Sequence, residues 1–98
     1  MSSVTEPVLL VPERHRYEMQ VDGQVAFIDF RRDGSVVSLT HAEVPAALNG
    51  RGIGSALVRG TLEQIKAAGE QVRPLCSFVA AYMQRHPEYQ ALRAEPRR

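Results

Sequence analysis

The first half of the chain places apolar residues at the two-residue period of β-strands. This period predicts three successive strands over residues 15–21, 24–30 and 35–44, all before Pro45. Asp22-Gly23 and Asp33-Gly34 fall between these strands and are typical of hairpin turns. A shorter apolar run over residues 8–11 is either an edge strand or a segment packed on the core.

After residue 45 the apolar spacing changes to the 3.6-residue period of an α-helix. Ile53, Leu57 and Ile65 fall on one stripe, while charged residues lie away from it. The pattern predicts an amphipathic helix over residues 52–68, which Gly69 closes as its C′ residue.

A short strand and a second helix complete the predicted order. Residues 71–75 form the strand, and Ser77 is expected to cap a helix that ends before Pro87. The second helix carries the apolar residues Phe78, Val79, Tyr82 and Met83. A strand that leads through a helix to another strand implies one right-handed parallel crossover after the antiparallel strands. The predicted class is α+β, with a mixed, mainly antiparallel sheet, a terminal β-α-β crossover and a C-terminal helix.

The length of 98 residues predicts one domain over residues 1–98. Its core is expected to span about residues 15–92, and the arginine-rich residues 93–98, including Arg97-Arg98, are expected to form a frayed tail. The apolar share is 44%, yet no run approaches the roughly 20 apolar residues that span a bilayer. We therefore expect a protein that does not enter membranes.

Charge and cysteine content exclude several classes of protein. The net charge of +1 gives no indication of nucleic acid as a partner. One cysteine, Cys76, cannot form an internal disulfide, and no secretory signal opens the chain, so we expect a cytoplasmic location. The histidines at positions 15, 41 and 86 lack the close spacing of metal ligands, so no metal site is expected.

The glycine-rich segment Asn49-Gly50-Arg51-Gly52-Ile53-Gly54 lies between a predicted strand and a predicted helix. Glycine allows positive φ and close approach of a ligand, and the first turn of a helix presents unpaired N–H groups to an anion. This arrangement favours a diphosphate site, to which Arg51 adds a charge-assisted contact. The alternative is that the glycines only cap and pack the helix.

Two other phosphate-binding folds do not fit this segment. A dinucleotide-binding fold needs a longer parallel sheet than one crossover supplies, and an acidic residue about 20 positions further on. A Walker motif needs Gly-Lys-Ser/Thr after the turn, which this chain lacks.

The glycine segment resembles the coenzyme signature Arg/Gln-x-x-Gly-x-Gly/Ala of the GNAT superfamily of acyl-CoA-dependent N-acetyltransferases, with Asn49 as the departure. Three further blocks, in the right order, are similar to those of small, minimal GNAT-like proteins. They are His41-Ala42-Glu43-Val44-Pro45, Pro74-Leu75-Cys76-Ser77-Phe78-Val79 and Arg85-His86-Pro87-Glu88-Tyr89. Ser77 stands where that family often has proline.

The resemblance implies an N-acetyltransferase that uses acetyl-CoA as acyl donor and acts as a monomer. The acceptor would be a lysine side chain or a small amine, in an open groove. The implied coenzyme-binding residues are Val44, Asn49, Gly50, Arg51, Gly52, Ile53, Gly54 and Ser55. A non-catalytic acyl-CoA binding module and an interaction domain without ligand remain as alternatives.

His41 and Glu43 are the candidate bases. The period of two places them on one face of the third strand, next to the glycine segment. Either can take the proton of an amine directly or through water, and the resemblance favours Glu43. The alternative is that His41 packs in the sheet and Glu43 pairs with an arginine.

Cys76 and Tyr82 complete the candidate catalytic residues. Cys76 precedes a helix N-terminus, whose dipole favours a thiolate, so it either accepts the acetyl group, protonates the leaving thiolate, or is buried and inert. The resemblance makes Tyr82 a candidate acid, with a core position as the alternative. His86 and Tyr89 are expected to stop and staple the last helix, with contact between His86 and the coenzyme as the alternative for His86.

Overall fold

The computed structural model describes residues 6–94. Five strands form one sheet in sequence order. They are β1 (Val8–Val11), β2 (Arg16–Val21), β3 (Gln24–Asp33), β4 (Val36–Glu43) and β5 (Gln71–Pro74). β1 to β4 pair antiparallel, and β5 pairs parallel to β4. The predicted mixed, mainly antiparallel sheet is confirmed.

Two α-helices follow the antiparallel strands. The first, α1 (Ile53–Ala67), connects β4 to β5 and is the predicted crossover, while α2 (Ser77–Arg85) follows β5. Short 3-10 segments cover Pro12–Arg14, Ala46–Leu48 and Pro87–Leu92. Neither α-helix in the described part of the chain has the length and apolar run that crossing a membrane requires.

The first hairpin turn follows directly from its two residues. Asp22 and Gly23 connect the paired residues Val21 and Gln24, with φ of 51° and 76°. Positive φ at both central positions is the geometry that suits the right-handed twist of the flanking strands. The Asp-Gly prediction is therefore confirmed at this turn.

The second hairpin lies further along the chain than its apolar pattern indicates. β3 continues to Asp33, which pairs with Val36, so the turn consists of Gly34 and Ser35. Arg31 and Arg32 are exposed but still pair with β4. Backbone hydrogen bonding extends the strand beyond its apolar residues, and a hydrophobic pattern does not report such an extension.

The end of α1 confirms the prediction for Gly69. The Gly69 amide donates to the Lys66 carbonyl and the Glu70 amide donates to the Ile65 carbonyl, each at 3.0 Å. Gly69 has φ of 71°. These two bonds and the positive φ form a Schellman motif, which satisfies carbonyl groups that the helix end leaves free.

One core holds the sheet and the helices together. It joins the inner face of the sheet to α1 and α2 through buried residues that include Ile28, Leu39, Leu57 and Met83. The segment 8–11 is an edge strand and is also packed on this core, because Gly60 of α1 leaves no room for a Cβ against the Val8 side chain. Both interpretations offered by the sequence, an edge strand and a segment packed on the core, are therefore confirmed.

Two sequence predictions near the C-terminus were wrong. Cys76, not Ser77, is the N-cap of α2, and its side chain makes no capping hydrogen bond. Residues 93 and 94 are not frayed: Arg93 bridges to Val72, and the Ala94 amide donates to the Val72 carbonyl at 2.8 Å. The pair Arg97-Arg98 lies outside the described residues.

Candidate active site

The glycine segment forms the entrance to α1. Gly50 and Gly52 have φ of 79° and 73°, a region that favours glycine, and a Cβ at either position would meet nothing within 4 Å. The backbone conformation, and not a lack of space, therefore requires glycine at both positions. Gly52 is the N-cap of α1, and no side chain in the described part of the protein caps this helix.

The first turn of α1 contains backbone donors that have no acceptor within the helix. The first hydrogen bond of this turn runs from the Ala56 amide to the Gly52 carbonyl at 3.1 Å. The amides of Ile53, Gly54 and Ser55 precede that bond and have no carbonyl one turn earlier to accept them. Together with the helix dipole they make a site suited to an anion.

A cavity of about 280 Å³ opens beside these amides. Its lining consists of Val44, Leu48, Asn49, Gly50, Gly52, Ile53, Gly54, Ser55 and Phe78. All but one of the predicted coenzyme-binding residues are therefore brought together here, and every side chain of the lining is uncharged.

Two members of this region depart from the sequence prediction. Arg51 does not line the cavity: its Nη1 donates to Asp22 Oδ2 at 2.6 Å. Phe78, which the apolar pattern assigned to the face of α2 only, lies so close that a Cβ on Gly54 would be 2.8 Å from its ring. The sequence signals for Phe78 were its place in the family-like block of residues 74–79 and its position just after a helix start.

A β-bulge orients the two candidate bases. Asp29 pairs with His41 while the next residue, Phe30, pairs with Leu39, so Thr40 is an extra residue in β4. Without it, His41 and Glu43 would share the buried side of the strand with Leu39. The bulge turns them to the opposite face of the sheet.

His41 and Glu43 lie together on this open face. His41 Nε2 is 3.2 Å from Glu43 Oε1, and the two side chains are 58% and 62% exposed. On the neighbouring strand, Asp29 accepts a hydrogen bond from Arg16 at 2.9 Å. The Arg16 guanidinium also covers the Phe27 ring at 3.7 Å. The candidate bases therefore adjoin a charged cluster that is already paired internally.

An opening separates β4 from β5 next to the cavity. The last paired residues of the two strands are Leu39 and Pro74. Just after them, the Cys76 amide donates a hydrogen bond to the Leu39 carbonyl at 2.9 Å. Beyond this point β4 pairs only with β3 in the described chain. The cavity beside Val44 lies on the side of the sheet that carries the buried core, and the exposed side chains of His41 and Glu43 lie on the other side.

Cys76 lies at the closed end of this opening. It is a free cysteine, partly buried and packed against the core, at the N-cap of α2. The predicted position before a helix N-terminus is confirmed.

Tyr82 lies away from the cavity lining. It is 4% exposed, belongs to the core, and stacks on His86 with ring centroids 4.0 Å apart. Burial raises the pKa of its hydroxyl, and the nearby Arg59 lowers it to a smaller extent. The structure thus places Tyr82 at the core position that was its alternative.

The end of α2 is held as predicted. His86 is the C-cap of α2, and the Tyr89 hydroxyl donates to Glu63 of α1 at 2.6 Å. Burial, with help from this carboxylate, raises the pKa of Tyr89 to about 12. His86 and Tyr89 therefore stop the helix and staple it to α1.

Comparison with known proteins agrees with this geometry. Residues 16–92 match the family model of GCN5-related N-acetyl-transferases. The NMR structure of a GCN5-like protein from Staphylococcus aureus superposes with a TM-score of 0.66 at 21% identity, over 85% of this chain and 84% of the other. At that identity the likeness concerns the fold. No curated protein is similar to the chain in sequence.

Proposed function

This chain belongs to the GCN5-related N-acetyltransferase family, and we propose that it transfers the acetyl group of acetyl-CoA to an amine, either a lysine side chain or a small amine. The observation that carries the proposal is the cavity at the start of α1, where the glycine segment and the free helix amides meet. Its residues suit a diphosphate joined to an uncharged arm.

The coenzyme would be held mainly by backbone groups. The amides of Gly52 to Ser55 would donate hydrogen bonds to its diphosphate, an interaction that needs no charged side chain. Val44 and Phe78, which line the same cavity, would offer apolar surface to the pantetheine arm. When bound, acetyl-CoA supplies an acyl group activated as a thioester.

An amine acceptor must lose a proton before it can attack. A lysine amine with a pKa of about 10.4 is neutral in only about one molecule in a few thousand at pH 7, a handicap of about 4 to 5 kcal/mol. A base on the open face, from which an acceptor can approach, removes that proton.

His41 and Glu43 provide such a base in one unit. An ionised Glu43 carboxylate can only accept hydrogen bonds. Across the 3.2 Å contact, His41 Nε2–H is therefore the hydrogen-bond donor. In neutral His41 this leaves Nδ1 as an acceptor for the proton of the amine. Glu43 Oε2 is the second acceptor, so the pair contains two candidate bases, as the sequence indicated.

Cys76 allows two further roles at the closed end of the opening. In the first, its thiolate attacks the acetyl carbonyl, the carbon–sulfur bond to coenzyme A breaks, and the amine later displaces Cys76 from the new thioester. In the second, its thiol protonates the departing coenzyme A thiolate. Mass spectrometry after incubation with acetyl-CoA distinguishes them, because only the first adds an acetyl group to Cys76.

Labelled acetyl-CoA, offered with a panel of small amines and lysine peptides, tests the proposal. We expect transfer of label to at least one amine and a rise in melting temperature with coenzyme A. Binding of the coenzyme with no transfer to any amine would argue against catalysis.

A non-catalytic acyl-CoA binding module is the second candidate. Asn49 lacks the charge that the family signature usually carries at this position, and His41 and Glu43 are exposed without a covering element in the described chain, which favours this candidate. A module predicts that Glu43→Gln changes neither coenzyme affinity nor any cellular effect of the protein. An enzyme predicts unchanged affinity with lost turnover.

A further inference from the structure

The charge of Arg51 is the feature of the site that the proposed function leaves unexplained. The residues that line the cavity are uncharged, and Arg51 is the only charged residue in the segment 49–55. A coenzyme diphosphate would therefore receive side-chain positive charge from this residue first. Yet the Arg51 guanidinium already binds the Asp22 carboxylate at 2.6 Å.

The geometry of the hairpin does not require a carboxylate at position 22. Asp22 occupies the first central position of a tight turn with φ of 51°, followed by Gly23. Asparagine is at least as favourable as aspartate at this position. Turn formation therefore does not account for the negative charge beside the glycine segment.

We propose that Asp22 sets the affinity for the coenzyme by competing with its diphosphate for Arg51. This inference rests on the proposed function, since it assumes that a CoA thioester binds at the start of α1. Binding then moves the guanidinium from a monoanionic carboxylate to a more highly charged diphosphate, which it can contact with two parallel hydrogen bonds. Asp22, at the tip of the hairpin, loses its ion-pair partner Arg51 in the same step.

The exchange is feasible because the ion pair is exposed. The Arg51 and Asp22 side chains are 46% and 67% exposed, and solvent-screened pairs of this kind contribute little to stability. A diphosphate can displace the carboxylate, but the competition weakens the observed binding. Removal of the carboxylate therefore tightens the binding of coenzyme A.

The substitution Asp22→Asn tests the competition with little risk to the fold. Calorimetric titration with coenzyme A at low ionic strength should show about two- to fivefold tighter binding than the wild type, the range expected for loss of an exposed ion pair. The gain should shrink as salt is added, because salt screens the same pair.

The second hairpin provides a matched control. Asp33→Asn changes the net charge equally, but Asp33 lies at the other end of β3, about 30 Å along the strand from the first turn. We expect this variant to bind coenzyme A as the wild type does. An equal effect of Asp22→Asn and Asp33→Asn would overturn the proposal, and so would weaker binding by Asp22→Asn.

A double substitution isolates the role of Arg51. In an Arg51→Gln protein, Asp22→Asn should leave coenzyme affinity unchanged, because no guanidinium remains to compete for. If Asp22→Asn still tightened coenzyme A binding in the Arg51→Gln protein, Asp22 would act by repelling the diphosphate directly. That result would contradict the proposed competition for Arg51. If no variant binds coenzyme A, the proposed function fails as well, whereas normal binding without these differences overturns only this inference.

Discussion

Gly52 and Gly54 are two residues apart, yet glycine serves a different purpose at each. Gly52 has φ of 73° with open space around it, while a Cβ on Gly54 would lie 2.8 Å from the end of the Phe78 ring, so this ring would have to shift. The first residue sets the direction of the chain into α1. The second allows α2 to approach the cavity.

Gly52→Ala tests the conformational role at the site. A residue with a Cβ in the left-handed region costs about 1 to 2 kcal/mol, and relief of that strain would re-aim the first amides of α1. We expect this loss in the free energy of unfolding together with weaker coenzyme A binding. Urea denaturation and calorimetric titration measure the two effects.

Gly69→Ala is its matched control. Gly69 has φ of 71° and equally open surroundings, but it lies at the opposite end of α1. It should lose similar stability and keep its coenzyme affinity. If Gly52→Ala and Gly69→Ala lost equal affinity for coenzyme A, the glycine segment would affect binding only through the stability of the protein.

Glu43→Gln tests the candidate base on the open face. Loss of a general base typically lowers kcat about 10²- to 10⁴-fold, while the exposed position of Glu43 leaves stability and coenzyme binding nearly unchanged. Steady-state kinetics with the best amine acceptor measure the effect. The exposed Glu13→Gln is the control of equal charge, and a kcat of Glu43→Gln equal to that of the control would remove Glu43 from the mechanism.

At the scale of secondary structure, the hydrophobic pattern predicted the β-strands and both α-helices that position the site, but not the 3-10 segment Ala46–Leu48, whose Leu48 lines the cavity. It predicted the end of α1 at Gly69 and the strand–turn–helix arrangement around the glycine segment. It did not predict the bulge at Thr40, because the extra residue appears only when β4 pairs with β3. It missed the Arg51–Asp22 pair for the same reason, since 29 residues separate the two in sequence.

The contact between α1 and the segment after α2 has a predictable pH dependence. The Tyr89 pKa is about 12 in the folded protein and about 10 in an unfolded chain, so the folded state retains this proton longer. The stability that this shift represents is complete below pH 10 and is lost as pH rises from 10 through 12.

Tyr89→Phe should show this dependence by difference. It removes the hydrogen bond to Glu63 and should lower the free energy of unfolding by about 1.5 to 3 kcal/mol at neutral pH. The difference in the free energy of unfolding between wild type and variant should decrease above pH 10. Urea denaturation over a pH series measures it, and a gap that stays constant to pH 12 would contradict the assigned pKa shift.

At the scale of the whole molecule, the two helices pack on one face of the sheet and leave the other face open. The cavity at the start of α1 adjoins the covered side, and His41 with Glu43 occupies the open side. Between them, β4 continues to Glu43 after its pairing with β5 has ended at Leu39. In the proposed reaction, donor and acceptor would approach from opposite faces of the sheet.

The family resemblance of four short blocks is confirmed by the match over residues 16–92. The blocks placed the chain in its family because they lie in the right order around the crossover. They did not fix the acceptor, because its identity depends on the shape of the open face and not on these blocks.

The proposed coenzyme binding depends most directly on the amides that open α1. Amide proton–nitrogen correlation spectra recorded during a titration with coenzyme A observe them individually. We predict the largest shifts at Gly52, Ile53, Gly54 and Ser55, saturating together with a single affinity. A spectrum in which these four resonances stay fixed at saturating coenzyme A would contradict the account.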